Sequence, residues 1–331
     1  MGPPAAIVVI LALLPSMLAA TSLLNVQSAI GLALFACATN LLVGYGGLVS
    51  FGQGAFYGIG AYVVALMWMH WQASFWLGFV AAPFVGAFAA LLVGLVALRT
   101  RRLYFALLTL AFTQLFFVIV VQQESFTGGA NGVFGSILPG FLSDVNNGYY
   151  FTLAVVVVTL LLLWRITRSP FGMTLRAIRE NRERAESLGV NVFAHQLLAF
   201  VFAGALCAVA GTLFVVHDQS ANPNLLSWTE SGYPIFMAVI GGQFLFLGPA
   251  VGALIYEQGR DVVLASVSDW QLVFGLMLLA IALFAPDGIL GVLVRARDWV
   301  VGRRGRARAA VRDQVEDPPH REPEHAVVLE R

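Results

Sequence analysis

The sequence predicts an all-α polytopic membrane protein with about ten transmembrane helices (8–10), some interrupted by glycine. Three observations carry that prediction. The 331-residue chain is 59% hydrophobic and only 11% charged, against about 25% charged in soluble domains. Its mean hydropathy is +0.82. Its apolar runs approach bilayer length one after another, separated by short polar stretches in which arginine is clustered rather than scattered.

Lipid offers no partner to backbone N–H and C=O groups, so each span must be helical. Apolar runs fall at 5–22, 28–44, 54–70, 76–98, 103–122, 150–164, 196–216, 232–246, 249–267 and 271–293. The first, MGPPAAIVVILALLPSMLAA, imitates a signal peptide in its small residues Ala19 and Ala20. It lacks a basic lead and more spans follow, so a retained first helix is expected. Several later runs fall short of the roughly 20 residues a full crossing needs, which makes half-helices an expectation too.

Arginine sets the topology. All 19 basic residues are Arg. One cluster is Arg99, Arg101 and Arg102, a second runs from Arg165 to Arg184, and a third from Arg295 to Arg312. Placing all three in the cytoplasm puts the loops near 123–149 and 217–231 outside, and ten spans then leave both termini inside. The membrane domain is 1–294, with a cytoplasmic loop at 165–195. The tail 295–331 is Arg-rich, then acidic and Pro-containing, and is expected to be disordered.

The absence of lysine removes several chemistries: a Walker A loop, a lysine Schiff base and a Ser-Lys dyad. His70, His195, His217, His320 and His325 show no metal-ligand spacing, and His70 with Trp68, Trp71 and Trp76 suits an interfacial belt. GLVSFG around Ser50 is not Gly-x-Ser-x-Gly, so no serine nucleophile is expected. Cys37 and Cys207 each sit in an apolar run and are expected to be free, buried packing residues. Neither a catalytic residue nor a metal site is expected.

A weak internal repeat stands out. Residues 40–63 and 236–257 each place an apolar helix, a Gly-Gly pair (Gly46-Gly47; Gly241-Gly242), a short turn, another Gly (Gly52; Gly248) and a second apolar helix. Gly46, Gly47, Ser50, Gly52, Gln53, Gly54, Gly241 and Gly242 are candidates for a translocation path or gate, since interrupted spans in corresponding halves mark such paths. Close helix packing explains the same glycines. Glu257, Arg260 and Asp261 share one helical face at i, i+3 and i+4, and fit either a structural ion pair or an ion relay.

The loop RSPFGMTLRAIRENRERAESLGVN, residues 168–191, reads as one amphipathic helix. Leu175, Ile178, Ala185 and Leu188 recur at helical spacing. Arg176–Glu180, Arg179–Glu183, Glu180–Arg184 and Arg182–Glu186 stand at i,i+4, and Gly189 stops the helix. Such a helix either lies on the headgroups or docks a soluble partner.

Within this loop Glu183-Arg184-Ala185, followed by Gly189, resembles the Glu-Ala-Ala-x-x-x-Gly signature of ATP-binding-cassette importer permeases, with Arg184 in place of the middle Ala. NLLVGYGGLVSFGQGAFYGIGAY, RSPFGMTLRAIREN, NLLSWTESG and LFAPDGILG resemble segments of the branched-chain amino acid permeases of the LivM type, from Asn40 to Gly291. Where that family has Gly-Gly-x-Gly-Ser/Thr, this chain has Gly241-Gly242-Gln243-Phe244-Leu245. The resemblance implies a transport subunit, not an enzyme, in a bacterial inner membrane. Its 165–195 loop would be a coupling helix meeting an ATPase through Arg176, Arg179, Glu180, Glu183, Ala185 and Gly189. It further implies two ATPase subunits (LivG- and LivF-like), a second LivH-like permease and an extracytoplasmic substrate-binding protein. ATP and Mg would sit on the ATPases and no cofactor on this chain; membrane lipid, not nucleic acid, surrounds it. Leucine, isoleucine or valine is the implied cargo. The alternatives are an importer of urea, amides or other amino acids within the family, an ion-coupled secondary transporter, and a membrane scaffold that moves nothing.

Overall fold

A computed structural model describes residues 20–100, 102–135 and 137–264, with isolated positions at 11, 15, 272, 275, 276, 279 and 288–291. Eight of the ten expected runs coincide with helices: α1 Ala20–Asn40, α2 Gln53–Trp71, α3 Phe75–Ala97, α4 Arg102–Gln122, α5 Val145–Arg168, α8 Val192–Asp218, α9 Trp228–Gly241 and α10 Gly248–Leu264. Between α5 and α8 lie α6 Pro170–Glu180 and α7 Arg182–Ser187. The runs 5–22 and 271–293 and the tail 295–331 lie outside the described residues, and the exact number of spans rests partly on them.

Five helices (α1 with its continuation to Gly46, α3, α4, α5 and α8) are long and apolar enough to cross a bilayer. α9, of 14 residues, is too short for a full crossing, and α10 is described as far as Leu264.

Small residues decide how the bundle packs. Along α3, Gly78, Ala82, Gly86, Ala90, Gly94 and Ala97 are buried on one stripe, while Leu77, Val80, Phe84, Phe88, Leu92 and Leu95 are exposed. The stripe recurs at steps of four residues from Gly78 to Gly94 and of three to Ala97, so a neighbouring helix can approach to backbone distance. α8 does so: a Cβ on Gly86 would strike Ala208, and one on Gly94 would come within 2.8 Å of Leu197 Cδ1. α2 meets α8 in the same manner, with Gly60 against the Ala208 carbonyl and Gly211 against that of Tyr57. Aromatic side chains fill the remaining space; Phe35 stacks on Tyr57 at 4.4 Å and Phe56 meets Phe200 edge-on at 5.5 Å. α1 is the enclosed helix, with 83% of its apolar window buried, whereas α4 has only 17% buried and turns most of its surface outward.

The loops segregate to two ends. At one end, Val133 and Phe134 pair antiparallel with Ala221 and Ser220 as a two-stranded patch, β1 and β2. Those strands lie in the two loops that arginine placement assigned to a common side. At the other end, α6 contacts the segments that follow α1 and α9. The alternation read from arginine is therefore consistent with which loops touch.

Candidate functional site

The first glycine break begins where α1 runs into a π-helical turn, Leu41–Gly46. It stops at Gly47, whose φ of +65° lies where an L side chain is strained. The turn that follows is sewn to α4: Phe51 N–H donates to Thr109 Oγ1 at 3.1 Å, and Thr113 Oγ1 donates to the Phe51 carbonyl at 2.8 Å. Ser50 and Gln53 are fully buried. Ser50 Oγ accepts from Gly52 N–H at 3.1 Å and from Gln53 Nε2 at 3.4 Å, while Gln53 Oε1 accepts from Cys207 Sγ at 3.2 Å. Ser231 of α9 caps the start of α2, accepting from Gly54 N–H at 2.9 Å. Unwound backbone at membrane depth survives only where protein or a cavity satisfies it; here protein does, and the break is shut.

The second break repeats the device. α9 ends at Gly241, Gly242 takes φ +115°, and α10 starts at Gly248. Gly241, Gly248 and Gly252 let α9 and α10 touch backbone to backbone, and Gly288 abuts Gly242. Residues 283–287 of LFAPDGILG lie outside the described residues. Asn40, the last residue of α1, donates through Nδ2 to the Gln243 carbonyl at 3.0 Å. The two breaks are thus joined by a direct hydrogen bond.

The 168–191 loop departs from its expected form. It is two helices, not one, because Asn181 leaves helical space at φ −154° and caps α7, its Oδ1 accepting from Arg184 N–H at 2.9 Å. The bend falls within Arg179–Glu183 and Glu180–Arg184 and removes their i,i+4 geometry. Among the described residues only Arg182–Glu186 forms an ion pair of the four expected, at 2.9 Å. Leu175, Ile178 and Ala185 are buried as expected, but Leu188 is 79% exposed and not part of the apolar face. Gly189 does stop the helix. With φ +82° it closes a Schellman motif, Val190 N–H to the Ala185 carbonyl at 3.1 Å and Gly189 N–H to that of Glu186 at 3.0 Å. Ala185, Ile178 and Val192 pack together beneath the turn, so the Ala and the Gly of the signature serve one piece of local geometry. Glu180 and Glu183 are exposed.

Two arginines tie α6 to the breaks. Arg179 Nη1 donates to the Gly44 carbonyl in the π-turn, and its guanidinium lies 4.8 Å from the Phe244 ring in the second break. The aliphatic part of Arg179 lies over Gly47. Arg176 sits 4.9 Å from the Tyr45 ring and donates from Nη2 to the Thr167 carbonyl at 3.2 Å. Gly44 lies in the last turn, where helix carbonyls run out of partners, and the Leu48 N–H four residues on donates to the Leu42 carbonyl instead. Arg179 thus touches both breaks from α6.

At the other end of the bundle, Glu257 is buried. Its Oε1 accepts from Ser28 Oγ at 2.8 Å, and its Oε2 lies 3.6 Å from Arg260 Nη1. The i,i+3 ion pair is present, whereas the Asp261 side chain lies outside the described residues. Cys37 and Cys207 are free and buried. No group of three or more His, Cys, Asp or Glu able to hold a metal occurs among the described residues.

Sequence reasoning therefore found both breaks and the loop, and the structure brings Gly46, Gly47, Gly241, Gly242, Arg176 and Arg179 to one end. Ser50, Gln53 and Gly54 lie in the packed start of α2, and Glu257 lies apart. It missed Asn40, Thr109, Thr113 and Ser231. Thr109 and Thr113, two hydroxyls at i,i+4 in a run whose interior holds only Gln114 as a further polar side chain apart from Tyr104, were the available signal.

A family model described as branched-chain amino acid transport system / permease component matches residues 19–283. The chain is similar to the high-affinity branched-chain amino acid transport system permease protein LivM of Salmonella typhimurium, 28% identical over 278 residues, 76% of this chain and 65% of the relative. The Escherichia coli LivM protein matches with the same identity and coverage. It is also 28% identical to the permease protein BraD of Pseudomonas aeruginosa over 296 residues, 78% of this chain and 91% of that one. The match thus spans slightly under two thirds of the length of the two LivM relatives. No solved structure matches the chain.

Proposed function

The chain belongs to the branched-chain amino acid transport system permease component family, and from that premise we propose that it is the membrane-spanning permease subunit of an ATP-binding-cassette importer for branched-chain amino acids. It works in the bacterial inner membrane with a second permease, two ATPase subunits and an extracytoplasmic binding protein. The relatives' names support the cargo class, and the five apolar helices support the membrane location.

The observation that carries the mechanism is the arginine tether from α6 to both glycine breaks. Transport requires a bundle with two discrete arrangements and something outside the membrane that biases them. α6 and α7 supply a charged surface, with Glu180, Glu183 and Gly189 exposed, on which an ATPase subunit would press. Arg176 and Arg179 carry the displacement to the breaks, and the shut packing around Ser50 and Gln53 is the closed arrangement of the path. ATP and Mg stay on the ATPases; this chain contributes motion and no chemistry.

Reconstitution tests the reading. The chain with its partner permease, ATPases and binding protein should accumulate leucine in liposomes only when ATP is supplied on the ATPase side. Accumulation by the permeases alone on an ion gradient would refute it. Urea or an amide displacing leucine from uptake would move the cargo and leave the mechanism standing.

A further inference from the structure

A cavity of about 440 Å³ opens between the end of α5, the face of α6 and the two breaks, lined by Tyr45, Trp164, Arg168, Met173, Arg176 and Phe244 among others. Its walls divide by chemistry. Arg168 lies 4.5 Å from the Trp164 ring and Arg176 lies 4.9 Å from that of Tyr45. Neither arginine has a carboxylate partner among the described residues, where the only ion pairs are Arg182–Glu186 and Arg260–Glu257. Two guanidinium groups bordering one space raise its positive potential and invite an anion that accepts planar, forked hydrogen bonds.

The remaining walls, Met173, Phe244, Leu245 and Phe246, are apolar. On α5, Leu161, Trp164 and Arg168 follow one another at i, i+3 and i+7 on one face, and Val158 precedes them. Val158, Leu161 and Leu162 are more than half exposed. In a membrane-spanning helix such a face lies against acyl chains, and tryptophan near the helix end marks the headgroup level. An occupant must therefore present an anionic head to the arginines while its apolar part descends along α5. A free phosphate would leave the apolar wall bare, and a zwitterionic headgroup would offer the guanidinium pair a net charge of zero.

We propose that this cavity is a binding site for an anionic phospholipid, held by Arg168 and Arg176 through its phosphodiester and seated against Trp164, Met173 and Phe244. Basic pockets between spans on the Arg-rich side of a membrane suit such headgroups. The site is bordered by α5, α6, the π-turn and the second break, so one bound lipid would touch all four. This goes beyond the transport reading and rests only on the chain being membrane-embedded.

Native mass spectrometry of the full-length permease, purified in detergent and exchanged into nanodiscs of mixed phosphatidylglycerol and phosphatidylcholine, tests it. The wild type should retain one phosphatidylglycerol after most lipid is stripped, and Arg168→Gln/Arg176→Gln should lower that retention at least tenfold. Met173→Trp, which narrows the cavity at an exposed position and keeps both arginines, should lower it as well. Arg182→Gln, on the neighbouring α7, should not. Equal retention by the double variant and the wild type overturns the proposal. So does displacement of the lipid by millimolar inorganic phosphate, which would make this a simple ion site. None of these readouts involves transport, so they stand or fall separately from the importer reading.

Discussion

Replacing Arg179 with alanine removes the one side chain that joins α6 to both breaks. A hydrogen bond from a charged donor contributes about 1.5–3 kcal/mol, and an exposed cation–π contact about 0.5–1 kcal/mol. Arg179 is half-buried, so solvent screening brings the expected loss down to about 2 kcal/mol. Since about 1.4 kcal/mol is a factor of ten, the clamped arrangement should be disfavoured about thirtyfold. Hydrogen exchange reads this directly: amides at the end of α6 should exchange about thirtyfold faster, while those in the middle of α8 stay unchanged. Arg182→Ala is the control. Its partner Glu186 and it are both half-exposed, and such a pair is worth under about 1 kcal/mol. In the reconstituted importer, Arg179→Ala should go on hydrolysing ATP while moving far less leucine per ATP. The tether is refuted if α6 exchange changes by less than about threefold and leucine moved per ATP is normal.

Other perturbations separate packing from coupling. Gly60→Leu drives a side chain into the Ala208 backbone, which neither neighbour can vacate; overpacking of this kind costs about 3 kcal/mol or more, and the variant should unfold or aggregate on size-exclusion chromatography. Gly140→Ala, with open space around it, should match the wild type in the same assay. Thr113→Val leaves the Phe51 carbonyl without its 2.8 Å donor, a loss of about 1–2 kcal/mol, and should make a cysteine placed at Ser50 react faster with a membrane-permeant maleimide. Glu183→Arg alters an exposed site, so thermal stability should hold while co-purification of the ATPase subunits falls. Glu257→Gln keeps an acceptor for Ser28 Oγ, and uptake within about twofold of wild type would fit a structural pair; abolished uptake would revive the ion relay.

The identities of Gly47, Gly242 and Gly189 follow from local backbone geometry, each with a positive φ, and local geometry is what a linear pattern records. The same holds for the apolar runs, whose length reports a bilayer thickness, and for arginine placement, which agrees with the pairing of Val133 with Ala221. Asn181 shows where periodicity misleads. Apolar spacing continues across it, yet its side chain competes for the Arg184 amide and starts a new helix. Once the chain bends there, Leu188 is carried into solvent and Arg179 is released from Glu183.

By itself the sequence determined a helical membrane domain, its interrupted spans and the loop bearing the importer signature, because hydrophobicity, glycine and charge act over a few turns of chain. Only the tertiary structure decided that Asn40 would meet Gln243, that Arg179 would reach Gly44 and Phe244, and that Thr109 and Thr113 would hold the turn at Phe51. These partners are 58 to 203 residues apart. No propensity encodes such pairings, because each depends on how α1, α4, α6 and the two breaks pack against one another and not on the chain within a few turns of either partner.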